Sequence, residues 1–118
     1  MIHRIHSGWQ YPDTYLKFLY NIVLDLQPKK IVELGTRYGD TSIVMAQALI
    51  RLGNGGHINT YDLIEYEFIS PNLALNNCTD IITFKQLSFL DWLSTPEDYD
   101  LLYIDVDNTP NKIQKMKP

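Results

Sequence analysis

The sequence predicts an α/β fold in which helices cover both faces of a parallel β-sheet. Two observations support this prediction: short stretches that are apolar throughout, as in strands buried on both faces, and helix-like segments that alternate with them. The chain has 118 residues, of which 45% are hydrophobic and 20% are charged, and this is the size and composition of one globular domain. We therefore expect residues 1–118 to form a single domain with an N-terminal arm at residues 1–12.

The first half of the chain predicts two helices and one strand. Asp13 is expected to cap the first helix and Pro28 to end it, and apolar residues recur between them at spacings of three and four, at Tyr15, Leu16, Leu19, Tyr20, Val23 and Leu26. The first strand is predicted near residues 30–34. Gly39 opens the second helix, which runs to Leu52 and ends at a glycine-rich turn.

The second half of the chain predicts three further strands, near residues 57–62, 81–86 and 99–105. A helix is expected at residues 71–77 and a short turn near residues 89–93. The last strand contains the apolar run Leu101-Leu102-Tyr103-Ile104, which is typical of a strand that is buried on both faces.

Charge and cysteine content argue against several classes of function. A net charge of −4 argues against non-specific nucleic-acid binding, which needs a basic surface. No apolar run approaches the roughly 20 residues of a membrane span, and the N-terminus lacks a secretory signal pattern, so a cytoplasmic protein is expected. Cys78 is the only cysteine, which excludes an internal disulfide and any multi-cysteine zinc site.

Polar residues follow the predicted strands at the edge where open α/β sheets bind their ligands, in the turn 33–42, at Asp62, at residues 86–88 and at Asp105. Glycines at 35 and 39 allow a sharp turn and a close approach to a ligand, although helix capping and packing would also explain them. The Asp62 carboxylate can accept hydrogen bonds from both hydroxyls of a ribose, although it can also be a plain turn former. Within one β-α-β unit, the two features together favour an adenosine-containing ligand.

Two stretches of the chain resemble one enzyme family. Residues 31–42, IVELGTRYGDTS, resemble the first motif of class I S-adenosylmethionine-dependent methyltransferases, in the E-x-G-T-x-x-G-x-[ST] form of small-molecule O-methyltransferases. They are also similar to the branch that contains sugar O-methyltransferases and cephalosporin-hydroxylase-like proteins. Residues 100–107, DLLYIDVD, resemble the fourth strand of the family, often written D-L-L-x-I-D-G-D-H. Over residues 8–112 the resemblance implies a Rossmann-like sheet in strand order 3-2-1-4 and S-adenosylmethionine (SAM) as the cofactor.

The resemblance also implies a role for each matching residue. Glu33 and the Gly35 backbone are expected near the amino-acid end of the cofactor, and Asp62 is expected at the ribose. The pair Leu87-Ser88 is expected at the edge of the adenine. The full set of implied cofactor-binding residues is Glu33, Gly35, Thr36, Gly39, Thr41, Ser42, Asp62, Leu87 and Ser88.

Asp105 is the implied catalytic residue. Methyl transfer is an in-line displacement that depends mainly on positioning, so deprotonation of the acceptor is the remaining chemical task. Asp105 is expected near the methyl group, as a polar or proton-accepting contact or as a ligand of a Mg²⁺ that lowers the pKa of the acceptor. The expected function is SAM-dependent methyl transfer to the hydroxyl of a small molecule or sugar.

The chain departs from the family pattern in three residues and in length. Ser88 stands where relatives often carry aspartate, Val106 replaces a glycine and Asn108 replaces a histidine. Relatives continue through three more strands, so the resemblance implies a C-terminal truncation that leaves the fourth strand at the sheet edge and favours a homo-oligomer. The alternative function is therefore a truncated, non-catalytic domain that binds an adenosyl cofactor. A dinucleotide-dependent oxidoreductase is disfavoured because G-x-G-x-x-G is missing.

Several other residues leave two interpretations open. His3 and His6 have the spacing of a metal pair on a helix, but no third ligand is evident and a surface role is favoured. Trp9 and Tyr11 could cap the ligand pocket or simply pack the N-terminal arm. Arg37 and its neighbour Tyr38 could face the ligand or solvent.

Overall fold

The computed structural model describes residues 11–106. Four parallel strands form one sheet in the order β3-β2-β1-β4, and they are β1 (Lys30–Leu34), β2 (His57–Asp62), β3 (Ile82–Gln86) and β4 (Leu101–Ile104). The helices that alternate with them are α1 (Asp13–Leu26), α2 (Asp40–Leu52), α3 (Ile69–Leu75) and α4 (Phe89–Ser94). The predicted Rossmann-like fold and its strand order are confirmed.

β1 lies in the interior of the sheet and is buried on both faces. Leu34 near its end pairs in parallel register with Tyr61 of β2 and with Ile104 of β4. Because successive side chains of a strand point to opposite faces, Ile31 packs in a core with residues of α2 and α3. The opposite face of the sheet carries a second core cluster of Val32, Leu34, Tyr61 and Trp92. This two-sided burial explains the apolar character of the strand.

The predicted cap of the first helix was wrong. Pro12, at φ −59° and ψ 146°, precedes the first helical turn, and its carbonyl accepts the N–H groups of Tyr15 and Leu16 at 3.1 Å. Asp13 is the first helical residue, and no side chain caps this end of the helix. Proline is suited to a helix start because its ring fixes φ near the helical value and it lacks an N–H. The Asp13 carboxylate still lies in the first turn, where the helix dipole favours a negative charge.

Two other element boundaries differ from the prediction. α3 begins at Ile69, before Pro71, because the first turn of a helix tolerates a residue without an N–H. β4 begins at Leu101, and the Asp100 carboxylate before it accepts the N–H groups of Lys29 and Lys30 at 3.0 Å each. Among residues 11–106, no helix has the length and apolar character needed to cross a membrane.

Candidate functional site

The carboxyl ends of the four strands meet at one edge of the sheet, where backbone hydrogen bonds join them. The Gly35 N–H donates to the last-but-one carbonyl of β2 at 2.8 Å, and the Asp105 N–H donates to the last carbonyl of β1 at 2.8 Å. The Leu87 N–H after β3 donates to the Asp62 carbonyl at 2.9 Å. The predicted positions that follow the four strands are therefore neighbours in space.

Gly35 allows β1 and the end of β4 to come into backbone contact. Its φ is +112°, and a Cβ on this residue would lie 2.0 Å from the Asp105 carbonyl oxygen. Gly39 has φ +96°, but a Cβ there would meet its nearest atom, on Leu73, at an ordinary 3.7 Å. Close approach therefore requires glycine at position 35, whereas the left-handed backbone conformation favours it at position 39.

Asp62 fixes the shape of the turn between β1 and α2. The side chain is 6% exposed, and its Oδ2 accepts the backbone N–H of Arg37 at 2.8 Å. Arg37 has φ +53°, an uncommon conformation for a residue with a side chain. The carboxylate at the end of β2 thus stabilises a turn conformation that the chain would not favour on its own.

Glu33 is enclosed by hydroxyl groups instead of facing solvent. It is fully buried, and its carboxylate accepts hydrogen bonds from Thr41, Ser42 and Thr60. The Thr36 hydroxyl lies 2.6 Å from that of Thr60 and extends the network. Burial raises the pKa of Glu33 to about 7, although the three hydroxyl donors oppose this shift. The hydroxyls predicted at the start of α2 therefore point inward, at Glu33.

A cleft opens beside the turn, at the ends of β1 and β2. Of the predicted cofactor-binding residues, Gly35, Asp62 and Leu87 line it. The other residues that line the cleft are Leu34, Tyr61, Leu63, Phe89 and Val106. The result is a mainly apolar cleft with one carboxylate at its edge.

The walls of the cleft are anchored by polar contacts behind them. Ser88 caps α4, because its Oγ accepts the Asp91 N–H at 2.9 Å. Glu97 accepts hydrogen bonds from the Tyr61 hydroxyl and from the Trp92 ring N–H. Burial alone would raise the pKa of Glu97, but these donors, the Asn59 amide and a nearby lysine lower it. Glu97 therefore holds the loop after α4 against the Asn59 and Tyr61 side chains of β2.

Asp105 lies on the other side of the turn, next to an aromatic group. The Tyr11 hydroxyl donates a hydrogen bond to its Oδ2, and the Arg37 Nε lies 3.9 Å from the same oxygen. The Tyr11 ring stacks on Tyr15 with 5.3 Å between centroids, and the Tyr15 hydroxyl pairs with that of Tyr103. Burial and the contact with Asp105 raise the pKa of Tyr11, so this phenol stays protonated. Tyr11 and Arg37 thus both lie at the site.

The expected Mg²⁺ ligand set finds no support in residues 11–106, where no group of three or more His, Cys, Asp or Glu side chains could hold a metal ion. His57 pairs with Thr83 at 2.8 Å at the start of β2, the opposite end of the sheet from the site. Cys78 is buried, and burial raises the pKa of its thiol to about 11, which disfavours a nucleophile. The predictions for His3, His6, Trp9 and Asn108 fall outside the described residues.

Sequence reasoning missed three contributors to the site. Thr60 completes the hydroxyl shell of Glu33, and Phe89 adds an aromatic wall to the cleft. Glu97 anchors the loop behind it. A polar residue inside an otherwise buried strand is the signal that could have identified Thr60, because a buried hydroxyl needs a partner. Nothing local marks Glu97, whose partners come from β2 and α4.

Comparison with known proteins finds a matching family model and a group of similar solved structures. A family model described as a methyltransferase domain matches residues 32–116. Among curated proteins, none matches the chain. Solved structures do match, and the chain spans about half of the length of the three described below.

Three of these structures are O-methyltransferases or candidates for that activity. A candidate O-methyltransferase from Klebsiella pneumoniae is 25% identical, with a TM-score of 0.75 over 93% of this chain and 52% of that chain. The O-methyltransferase from Bacillus cereus, solved in complex with SAH, is 26% identical, with a TM-score of 0.74 over 91% of this chain and 51% of that chain. TomG from Streptomyces achromogenes, an O-methyltransferase of tomaymycin synthesis solved with SAM, is 22% identical, with a TM-score of 0.74 over 93% of this chain and 52% of that chain. At that identity TomG supports the fold alone.

Proposed function

The chain belongs to the methyltransferase-domain family, and from this membership we propose that it binds SAM and directs the methyl group to the hydroxyl of a small molecule or sugar. The cofactor would occupy the cleft at the ends of β1 and β2. The observation that carries the proposal is the Asp62 carboxylate at the edge of an apolar cleft that Gly35 also lines. The related Bacillus cereus structure contains SAH, the product that SAM leaves after methyl transfer.

The residues of the cleft fit the parts of an adenosyl group. The Asp62 carboxylate has acceptor capacity beyond the Arg37 N–H and would accept the two ribose hydroxyls. Leu63, Leu87 and Phe89 offer apolar surface to a flat ring. Ser88 has its hydroxyl oxygen engaged in capping α4, so its backbone is the better candidate for a contact with the adenine edge.

The proposed chemistry needs little from the protein besides positioning and one proton acceptor. When bound, SAM supplies an electrophilic methyl group on a positively charged sulfur, which an acceptor oxygen can displace in line. Asp105 would accept the proton of the acceptor hydroxyl as that oxygen attacks, because a carboxylate can take a further hydrogen bond beside the one from Tyr11. Tyr11 and Arg37 would orient the Asp105 side chain.

Calorimetric titration of the chain with SAM, SAH and NAD tests the proposal. We expect micromolar binding of the first two and no binding of NAD. Asp62→Ala is expected to weaken SAH binding by about 1–3 kcal/mol, because the ribose hydroxyls lose a charged acceptor. The matched control is Asp80→Ala, which removes an exposed carboxylate before β3 and should leave binding unchanged.

Each outcome of the titration has a defined meaning. If the folded wild-type chain binds neither SAM nor SAH, the proposed function is wrong. An Asp62→Ala variant with wild-type affinity would reject the ribose role alone. Binding of SAM without transfer to any hydroxyl compound tested would favour a non-catalytic cofactor-binding domain.

A further inference from the structure

The helix α3 packs against the turn between β1 and α2. The Asn72 side chain is fully buried, and its amide donates a hydrogen bond to the Tyr38 carbonyl at 3.1 Å. A Cβ on Gly39 would lie 3.7 Å from the Leu73 side chain. The Tyr38 ring packs against that of Tyr66, just before α3, with 4.9 Å between centroids. Residues 38 and 39 of the turn are therefore held by α3 and by the segment that leads into it.

The conformation of the turn depends on such contacts from outside it. Arg37 has φ +53°, a backbone conformation that residues with a side chain rarely adopt. Two side chains from other elements hold this part of the backbone. Asp62 of β2 accepts the Arg37 N–H at 2.8 Å, and Asn72 of α3 donates to the carbonyl of the next residue. The two hydrogen bonds thus restrain adjacent residues from different directions.

The position of the Arg37 N–H affects the Asp62 carboxylate in turn. If the Tyr38 carbonyl is released, the turn can rotate and the Arg37 N–H moves with it. The Asp62 carboxylate would then lose this donor or change its orientation to follow it. Asn72 itself is 0% exposed and is not among the residues that line the cleft, whereas Asp62 is. Any effect of Asn72 on a ligand in the cleft must therefore pass through the turn.

We propose that Asn72 is a positioning residue for the cofactor. By holding the Tyr38 carbonyl it fixes the turn, and the Arg37 N–H of that turn fixes the orientation of the Asp62 carboxylate toward the ribose hydroxyls. This inference rests on the proposed function, because that function assigns the ribose to Asp62. It adds a residue on a third element, which contacts neither the ribose nor the adenine.

A double-mutant cycle with SAH tests the inference. Asn72→Leu keeps a side chain of similar size and removes the amide donor, and it is expected to weaken SAH binding roughly 3-fold to 10-fold. In the Asp62→Ala background the same substitution should change SAH affinity less than about 2-fold, because the carboxylate through which Asn72 acts is gone. A merely structural loss would weaken binding by the same factor in both backgrounds. Calorimetric titration of the wild type, the two single variants and the double variant gives the comparison.

Asn76→Leu is the matched control. Asn76 is also buried, and its amide donates to the Asn72 carbonyl at 2.8 Å at the end of α3. Its loss should lower the free energy of unfolding in urea as Asn72→Leu does, but leave SAH affinity within about 2-fold of the wild type. If Asn72→Leu does not fold, the smaller Asn72→Ser takes its place in the cycle.

Hydrogen exchange of the Arg37 amide is a second measurement, made without ligand. This amide donates to Asp62, so its exchange reports the hydrogen bond on which the inference depends. We expect Asn72→Leu to speed its exchange about 10-fold more than that of the Val32 amide in β1, which reports wider unfolding. Asn76→Leu should change both amides by the same factor.

The outcomes separate this inference from the proposed function. If Asn72→Leu weakens SAH equally in both backgrounds, or not at all while the wild type binds SAH, the inference is overturned and the proposed function stands. The same follows if Asn76→Leu matches Asn72→Leu in SAH affinity or in Arg37 exchange, because burial in α3 would then explain the effect. An Asp62→Ala variant that binds SAH as the wild type does also overturns the inference. If the wild type binds neither SAM nor SAH, both fail.

Discussion

Gly35 is the glycine in residues 11–106 whose replacement by alanine brings a Cβ nearest to another atom. A Cβ would meet the Asp105 carbonyl oxygen at 2.0 Å, and this oxygen belongs to the backbone, which cannot rotate away as a side chain can. The two glycines of the motif therefore meet two different requirements, one for space at position 35 and one for backbone conformation at position 39.

We expect Gly35→Ala to lower the free energy of unfolding by more than about 4 kcal/mol, because either β4 or the turn must move. Gly53→Ala is the matched control. Gly53 also has a positive φ, of +63°, but nothing lies within 4 Å of its Cβ position, so only about 1–2 kcal/mol of backbone strain is expected. Urea unfolding of the two variants makes the comparison. Similar losses in both would contradict the steric argument.

The raised pKa of Glu33 should make the free energy of unfolding depend on pH. Its pKa is about 7 in the folded chain against an ordinary 4.5, so the folded state binds the proton more tightly than the unfolded state. Stability relative to Glu33→Gln should therefore fall as pH rises from about 4.5 to about 7, by up to roughly 3 kcal/mol.

Urea unfolding at pH 5, 6, 7 and 8 measures this difference for the wild type and for Glu33→Gln. Glu67→Gln removes an exposed carboxyl and serves as the control, whose pH profile should follow that of the wild type. Parallel profiles for the wild type and Glu33→Gln would contradict the prediction.

The helix α4 is the element whose stability depends most clearly on one cap. It is only six residues long, and the Ser88 Oγ accepts the Asp91 N–H at 2.9 Å. Such a short helix does not form without tertiary packing, which Trp92 provides through its contact with the β1 and β2 side chains of the second core cluster. Ser88 therefore contributes to the cleft through the helix that carries Phe89.

Ser88→Ala should lower the free energy of unfolding by about 1 kcal/mol, because the N–H group of Asp91 loses its partner. Ser70→Ala, an exposed position in α3, is the control and should have a smaller effect. Thermal unfolding monitored by circular dichroism compares the two. An equal shift in both variants would mean that the cap contributes nothing specific.

The sheet as a whole ends at β4 on one side in the part of the chain that the structure describes. β4 pairs with β1, and its apolar Ile104 is 49% exposed. A strand with an unpaired edge and apolar side chains is a template for pairing with another chain. Self-association through this edge stays a prediction.

Ile104→Lys tests this prediction, because a charged side chain on an edge strand blocks pairing. We expect a dimer or larger species for the wild type and a monomer for the variant in sedimentation equilibrium. Phe18→Lys replaces another exposed apolar residue, on α1 at 59% exposure, and should not change the mass. A monomeric wild type would contradict the prediction.

Local sequence patterns were sufficient to predict the order of strands and helices along the chain and the positions that follow each strand. Apolar runs, helical spacing, and glycine and proline positions act within a few residues, so they can be recognised without a structure. They failed at the first helix, where Asp13 was chosen as the cap although Pro12 makes the start. They also identified Asp62, which lines the cleft, whereas Leu87, which lines it too, was implied by the family resemblance.

Three-dimensional packing was needed for the chemistry of the turn. Three contacts join residues that are far apart in the sequence. They are the hydrogen bond from Thr60 to Glu33, the close approach of Gly35 to the Asp105 backbone, and the hydrogen bond from the Arg37 N–H to Asp62. These contacts depend on the register between parallel strands and on the path of the connecting turns. A repeat of two or of 3.6 residues describes which face a side chain occupies, but not which distant residue lies opposite it.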